Sequence, residues 1–387
     1  MQYAERMSRL GTETAFDVLV RAKALEAAGR SVVHLEIGEP DFDTPAHIVE
    51  AAVRALREGY THYGPAAGLP ELRAAIAEHV TACRGAAVHP DEVVVTPGAK
   101  PIIFFGILAC VEPGDEVIYP NPGFPIYESM IEFVRAKAVP LPLREGHQFR
   151  CDVDELRKLI TPRTRMIILN SPNNPCGSVL PREDLEAIAA LALEHDLVVM
   201  ADEIYSRILY DAKHETIIRV PGMKERTILI DGFSKTYAMT GWRLGYGVVN
   251  RTLAGHLVRL MTNSNSCTAT FVQQAGIAAL RGPQEEPERM VDEFRRRRDL
   301  IVAGLNRIPG IRCLQPAGAF YVFPNVQALP LPSQALAHRL LEEAGVATLC
   351  GTAFGAHGAG YLRLSYAASL ERLEEALGRI AQFVGRL

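Results

Sequence analysis

Residues 231–246, DGFSKTYAMTGWRLGY, contain a single lysine, Lys235, and a single arginine, Arg243, among Gly, Ser, Thr and aromatic residues. Solvated surfaces mix charges and apolar cores exclude them, so an isolated amine and an isolated guanidinium there call for a chemical reason. A lysine amine attacks carbonyl carbon when it is held neutral, well below its ordinary pKa of roughly 10.4. A guanidinium grips phosphate or carboxylate through paired N–H groups. Comparable residues follow other short apolar runs. EVVVTP (92–97) leads into Gly98, Ala99 and Lys100, and DEVIYP (115–120) into NPGFPIY with Phe124. RMIILN (165–170) leads into SPNNPCG with Asn174, LVVMAD (197–202) ends on Asp202 shortly before Tyr205, and TILID (227–231) leads into GFSK with Ser234 and Lys235.

Taken singly, each residue has an ordinary structural role. Asp202 can cap a helix, Asn174 can form an Asn-Pro turn, Phe124 can pack in a core, and Arg243 or Lys235 can form a structural ion pair or face solvent. Their setting decides. The apolar runs, with LGYGVV (244–249) as a sixth, read as strands buried on both faces of a largely parallel sheet. Helical patterns at 100–111 and at 182–196, the second started by Pro181, alternate with them and give an α/β fold. Ligands of such sheets bind outside the carboxyl ends of the strands, so these strand ends form one site. Bare N–H groups at the helix start after Gly98 and Ala99 suit a phosphate, as does Arg243. Asp202 suits a protonated ring nitrogen and Lys235 an aldehyde. The ligand with all three groups is pyridoxal 5′-phosphate (PLP).

The chain has 387 residues, enough for a large domain with a smaller lobe. With 48% apolar and 22% charged residues it has the composition of a soluble enzyme. A net charge of −4 and a pI near 6.3 offer nothing to nucleic acid or to an anionic membrane. Seven scattered cysteines without a CxxC pair read as free thiols in a reducing cytoplasm, with no disulfide frame and no metal site. The longest apolar run, IIFFGILACV, is half the roughly twenty residues of a membrane span, and the N-terminus has no apolar signal core. Asn250 to Thr252 matches a glycosylation acceptor and reads as coincidence in a cytoplasmic protein. Beyond residue 281 the pattern changes: a charged helix at 281–305, with Arg295 to Arg298 expected as a solvated face with one or two ion pairs, then GAFYVFP (318–324), a helix at 333–344, YLRLSYA (361–367) and a closing helix. This predicts a smaller α+β lobe that the N-terminal helix, 14–29, joins. The expected domains are 45–280, binding PLP, and 1–44 with 281–387.

With these residues in hand, the chain resembles the class I/II aminotransferases of PLP fold type I, and within them the bacterial aspartate and aromatic aminotransferases. The likeness runs from IGEPDFDTP (37–45) and HYGPAAGLPELR (62–73) through NSPNNPCG and DEIY to SKTYAMTGWRLGY and YLRLSYA. It implies that Lys235 is the Schiff-base lysine and proton shuttle, that Asp202 pairs with the ring nitrogen, and that Tyr205 and Asn174 bond the ring hydroxyl. It implies that Phe124 stacks on the ring, that Gly98, Ala99, Ser234 and Arg243 hold the phosphate, and that Lys100 is also among the cofactor-binding residues. Tyr63 resembles the tyrosine that reaches a neighbouring subunit's phosphate, which implies a homodimer. Arg363, with Gly38 and Asn174, resembles the clamp for a substrate α-carboxylate. Two positions depart from the pattern: Cys176 replaces the usual Thr of NPTG, and Gly232 stands where Ser is frequent.

The substrate is less legible. NSNSCTATF (263–271) lacks the second arginine that some aspartate enzymes use. In the bacterial subgroup a lysine like Lys100 can take the distal carboxylate, which favours glutamate or aspartate as donor and leaves aromatic substrates open. Asp17 and Ala15 are expected near the site, where Asp17 would instead repel a second carboxylate and favour a polar or cationic side chain. The expected reaction is amino transfer between an L-amino acid and a 2-oxo acid by a ping-pong route. The alternative on the same scaffold is a PLP-dependent lyase, cyclase or oxidase. A PLP-sensing regulator would need a winged-helix domain before IGEP, which begins at residue 37, and a nucleotide-binding enzyme would need GxGxxG after its first strand.

Overall fold

The computed structural model describes all 387 residues. Twelve strands follow in chain order: β1 (Val33–His34), β2 (Val93–Thr96), β3 (Glu116–Asn121), β4 (Lys137–Pro142), β5 (Thr164–Asn170), β6 (Val198–Asp202), β7 (Thr227–Gly232), β8 (Gly245–Val248), β9 (Tyr321–Val322), β10 (Val346–Ala347), β11 (Leu349–Cys350) and β12 (Leu362–Ser365). Seven of them form the central sheet in the order β2-β8-β7-β6-β5-β3-β4. All its pairs are parallel except those of β8, which is antiparallel to both β2 and β7. The antiparallel turn has a consequence for the site: the start of β8 lies at the same edge as the ends of its neighbours.

Continuous apolar strands follow from burial on both faces. Val93 and Val95 enter one core cluster while Val94 enters another, the period of two that a pleated strand imposes. Helices Ala46–Arg57, Pro70–Arg84, Arg182–Glu194 and Thr270–Arg281 contribute to the first cluster, and Lys100–Cys110, Ile126–Phe133 and Arg251–Ser264 to the second. The six expected strands are all present. β4 was not expected: its residues, KAVPLP, contain two prolines, and it is tolerated because it is the sheet's edge strand.

A third cluster joins Val33 and Leu35 to Phe294, Phe320, Tyr366 and Phe383, and Ile204, Tyr205, Ile208 and Tyr210 also belong to it. Here β1 pairs with β10, and β11, β12 and β9 form a small antiparallel sheet. The helix expected at 281–305 is Glu285–Asn306. Its arginines are not all solvated, contrary to expectation. Arg297 and Arg298 are buried. Arg297 donates to Asp41 at 2.6 Å and lies over the Phe42 ring; Arg298 donates to Asp211 at 2.6 Å and lies over the Tyr210 ring. A helical period turns part of any four-residue run inward, and the carboxylates that make this tolerable are remote in sequence. No helix is long and apolar enough to cross a membrane.

Candidate active site

The carboxyl edge of the sheet opens into a cavity of about 520 Å³. Ala99 and Lys100 reach it after β2, Phe124 and Tyr127 after β3, Asn170 at the end of β5 and Asn174 after it, Asp202 at the end of β6 and Tyr205 after it, and Ser234 and Lys235 after β7. Arg243 lines it from the turn before β8, and Gly38 and Arg363 line it from the third cluster's side. Lys235 and Arg243 both sit in the loop joining β7 to β8. Tyr63 does not enter the cavity of its own chain; it is 89% exposed.

Lys235 donates to the Gly38 carbonyl at 2.6 Å and lies 5.8 Å from the Phe320 ring centre. Burial pushes its amine down to about 8, against the pull of Glu39 and with help from Arg363 and Arg243. Asp202 is buried at the end of β6. It accepts from the Tyr127 hydroxyl at 2.6 Å and from the Ile204 N–H at 3.3 Å. Burial pushes its carboxyl up to about 6, with Asp231 and Glu203 adding to the rise and the Tyr127 hydrogen bond opposing it. Behind it, Arg84 bridges Glu203 at 2.8 Å and Asp231 at 2.6 Å, all three side chains being buried.

Gly98 shows why glycine is needed beside Arg243. Its φ is +80°, and a Cβ there would lie 2.0 Å from Arg243 Nη2. Arg243 itself adopts φ 56° and donates to the Thr240 carbonyl at 2.7 Å. Trp242 serves packing, as its indole donates to Thr44 at 2.9 Å. Gly232 faces Gly245 across the β7–β8 pair, and a Cβ there would come within 3.0 Å of the Gly245 Cα, so the strand crossing leaves little room for serine. Burial raises the Cys176 thiol well above its ordinary range, which keeps it from acting as a nucleophile.

The Tyr205 hydroxyl lies 2.8 Å from the Tyr321 hydroxyl. Arg363 is buried over the Tyr321 and Phe354 rings, at 4.7 and 5.2 Å from their centres, and donates one N–H to the Glu36 carbonyl. Its Nε and the Asn174 Oδ1 are buried without hydrogen-bond partners. Buried polar atoms rarely lack partners, so these two point to a ligand.

Three residues escaped the sequence reading. Tyr127 carries no motif signal beyond standing three positions after Phe124, against which its ring packs edge-on at 5.7 Å. Tyr321, within GAFYVFP, was read only as strand. Glu13 lines the cavity and pairs with Lys100; of the two residues expected there, Ala15 lines it and Asp17 is exposed outside it. The helix Thr14–Ala27 begins one residue after Glu13, and that start sets which acid faces inward.

Residues 30–380 match the family described as "Aminotransferase class I and II". The chain belongs to the class I and II aminotransferases. An aspartate aminotransferase of Pyrococcus abyssi is 45% identical, with 92% of each chain covered. An arginine–pyruvate transaminase of Pseudomonas aeruginosa is 41% identical, with 98% of each covered. The solved aspartate aminotransferase of Thermus thermophilus with maleate superimposes at a TM-score of 0.94, with 39% identity and 99% of each chain covered. This aminotransferase shares the fold type I architecture of these structures, and the lyase, cyclase and oxidase alternatives are not favoured.

Proposed function

We propose that this aminotransferase uses PLP held by Lys235 to move an amino group between an L-amino acid and a 2-oxo acid. The observation that carries the reading is the convergence in one cavity of a half-buried lysine amine, a buried carboxylate on the adjacent strand end and a buried arginine with a free Nε. The residues fit the group. Gly98 leaves open the space beside Arg243 that a Cβ would fill, and Gly98, Ala99 and Ser234 supply phosphate contacts around it. Asp202 would hold a protonated ring nitrogen, Phe124 would cover the ring, and Tyr205 and Asn174 would hold its hydroxyl oxygen. When bound, PLP supplies an aldehyde that accepts amines and a ring that withdraws electron density.

The chain's own residues do the rest. Arg363 binds the substrate α-carboxylate, and Asn174 and Gly38 complete that contact, so the Cα–H bond is oriented. The Lys235 amine takes the proton from Cα and returns it. Tyr127 fixes the Asp202 carboxylate. Tyr63 of each chain reaches a partner's phosphate, so the working unit is a homodimer; its high exposure in the single chain supports this. Residues 45–280 form the PLP-binding domain and residues 1–44 with 281–387 the smaller one, supported by the cluster that joins Val33 and Leu35 to C-terminal residues. Seven free thiols support a cytoplasmic location.

The absorbance spectrum of the purified protein, with amino acids added singly, tests the reading. A cofactor band that an amino acid bleaches and an oxo acid restores, absent in Lys235→Ala, is the expected result. A band that no amino acid changes would refute it.

A further inference from the structure

The more exposed wall of the cavity carries three charged side chains that the proposed chemistry leaves unused: Glu13, Glu39 and Lys100. Lys100 donates to Glu13, and its ammonium lies 5.5 Å from the centre of the Phe124 ring. Glu13 is the better shielded partner, with 18% of its side chain exposed against 47% for Lys100. Glu39 accepts a hydrogen bond from the neutral Thr240 hydroxyl. The wall therefore holds two carboxylates against one ammonium. The Glu13 charge also favours protonation of Lys235 and Arg363, so its carboxylate acts on the space that a substrate occupies.

We propose that Glu13 is a specificity-determining residue: by neutralising Lys100 and leaving Glu39 without an ion-pair partner, it makes the pocket select amino donors with a cationic side chain over dicarboxylic ones. The inference rests on the reading of Arg363 as the α-carboxylate clamp, which sends the donor side chain toward this wall. A distal carboxylate could bind Lys100 only by displacing Glu13, which would leave two carboxylates side by side. A guanidinium or ammonium group instead meets two anionic acceptors, and the ring that lies near the Lys100 ammonium can face it as well. Rejection by like charge and acceptance by opposite charge act together here, as specificity generally requires.

The test compares wild type, Glu13→Gln and Glu13→Asp in two ways. The first is kcat/KM for L-arginine and L-lysine against L-aspartate and L-glutamate, with one common oxo-acid acceptor. The second is calorimetric binding of two unreactive probes, 4-guanidinobutyrate and glutarate. Wild type is expected to favour the cationic donors and probe. Glu13→Gln should lower the cation-to-acid ratio about tenfold, between the effects of exposed and buried charge pairs, and Glu13→Asp should keep the wild-type preference. A wild type that favours dicarboxylic donors and glutarate, or a ratio that Glu13→Gln leaves unmoved, overturns the proposal. If no amino acid turns over while the probes still show a guanidino preference that Glu13→Gln abolishes, the specificity inference stands and transamination falls.

Discussion

Replacing Tyr127 with Phe removes one hydroxyl from the Asp202 site and leaves the ring that packs against Phe124. That hydroxyl donates to Asp202 at 2.6 Å and lowers a carboxyl that burial has raised to about 6. A hydrogen bond to a charged group contributes about 1.5–3 kcal/mol, or about 1–2 pKa units. Without it, Asp202 should titrate near 7–8, an order-of-magnitude expectation from the same conversion. At pH 7 the wild-type carboxyl is about 90% ionised and the variant about 10–50%. Cofactor affinity that depends on an ionised Asp202 should then fall about two- to tenfold at pH 7 and recover near pH 9. The assay is titration of the apoprotein with PLP across pH 5–9, followed by fluorescence of the single tryptophan, Trp242, one residue from Arg243. In wild type the affinity should weaken below pH 6, and in Tyr127→Phe already below 7–8. An unmoved acid limb, or an equal loss at every pH, would refute the reasoning. The apoprotein's stability carries the opposite sign. A carboxyl raised from 3.8 to about 6 contributes most below pH 4, and that contribution is lost as pH rises through 6.

Lys235, lowered from 10.5 to about 8, should be acylated in the apoprotein with a half-rise near pH 8, read by peptide mass mapping; a half-rise near 10 would contradict its burial. Its depressed pKa also makes stability rise with pH between 8 and 10.5, where the unfolded chain binds the extra proton. Gly98→Ala should cost about 1–2 kcal/mol for a side chain at positive φ and displace Arg243, so calorimetric binding of inorganic phosphate should weaken; unchanged phosphate affinity would remove Arg243 and Gly98 from the phosphate site. Arg84→Ala strands Glu203 and Asp231 in the interior and should destabilise the apoprotein by about 3–5 kcal/mol. A lowered thermal midpoint is the readout, and an unchanged one would mean that these carboxylates do not depend on Arg84.

The strands that were legible are those whose apolar residues fill both faces, such as EVVVTP and LVVMAD. β4 escaped because an edge strand tolerates prolines and polar residues that a central strand cannot. Arg297 and Arg298 were misjudged because composition cannot show that Asp41 and Asp211 come to meet them. The same limit hid Tyr127 and Tyr321. Each makes one side-chain hydrogen bond at the site, with Asp202 and with Tyr205, across 75 and 116 positions of chain.

The sequence by itself determined the family, the alternation of strand and helix, and the order of the residues brought to the sheet's carboxyl edge. It could do so because these requirements are local: a glycine for a positive φ, an apolar run for a buried strand, a lysine and an arginine isolated among small and aromatic residues. The tertiary structure alone decided the charge state of the site and its outer wall. Burial lowers Lys235 and raises Asp202, and it is a property of everything packed around them. The choice of Glu13 over Asp17 depends on where one helix starts relative to Lys100, 87 residues away.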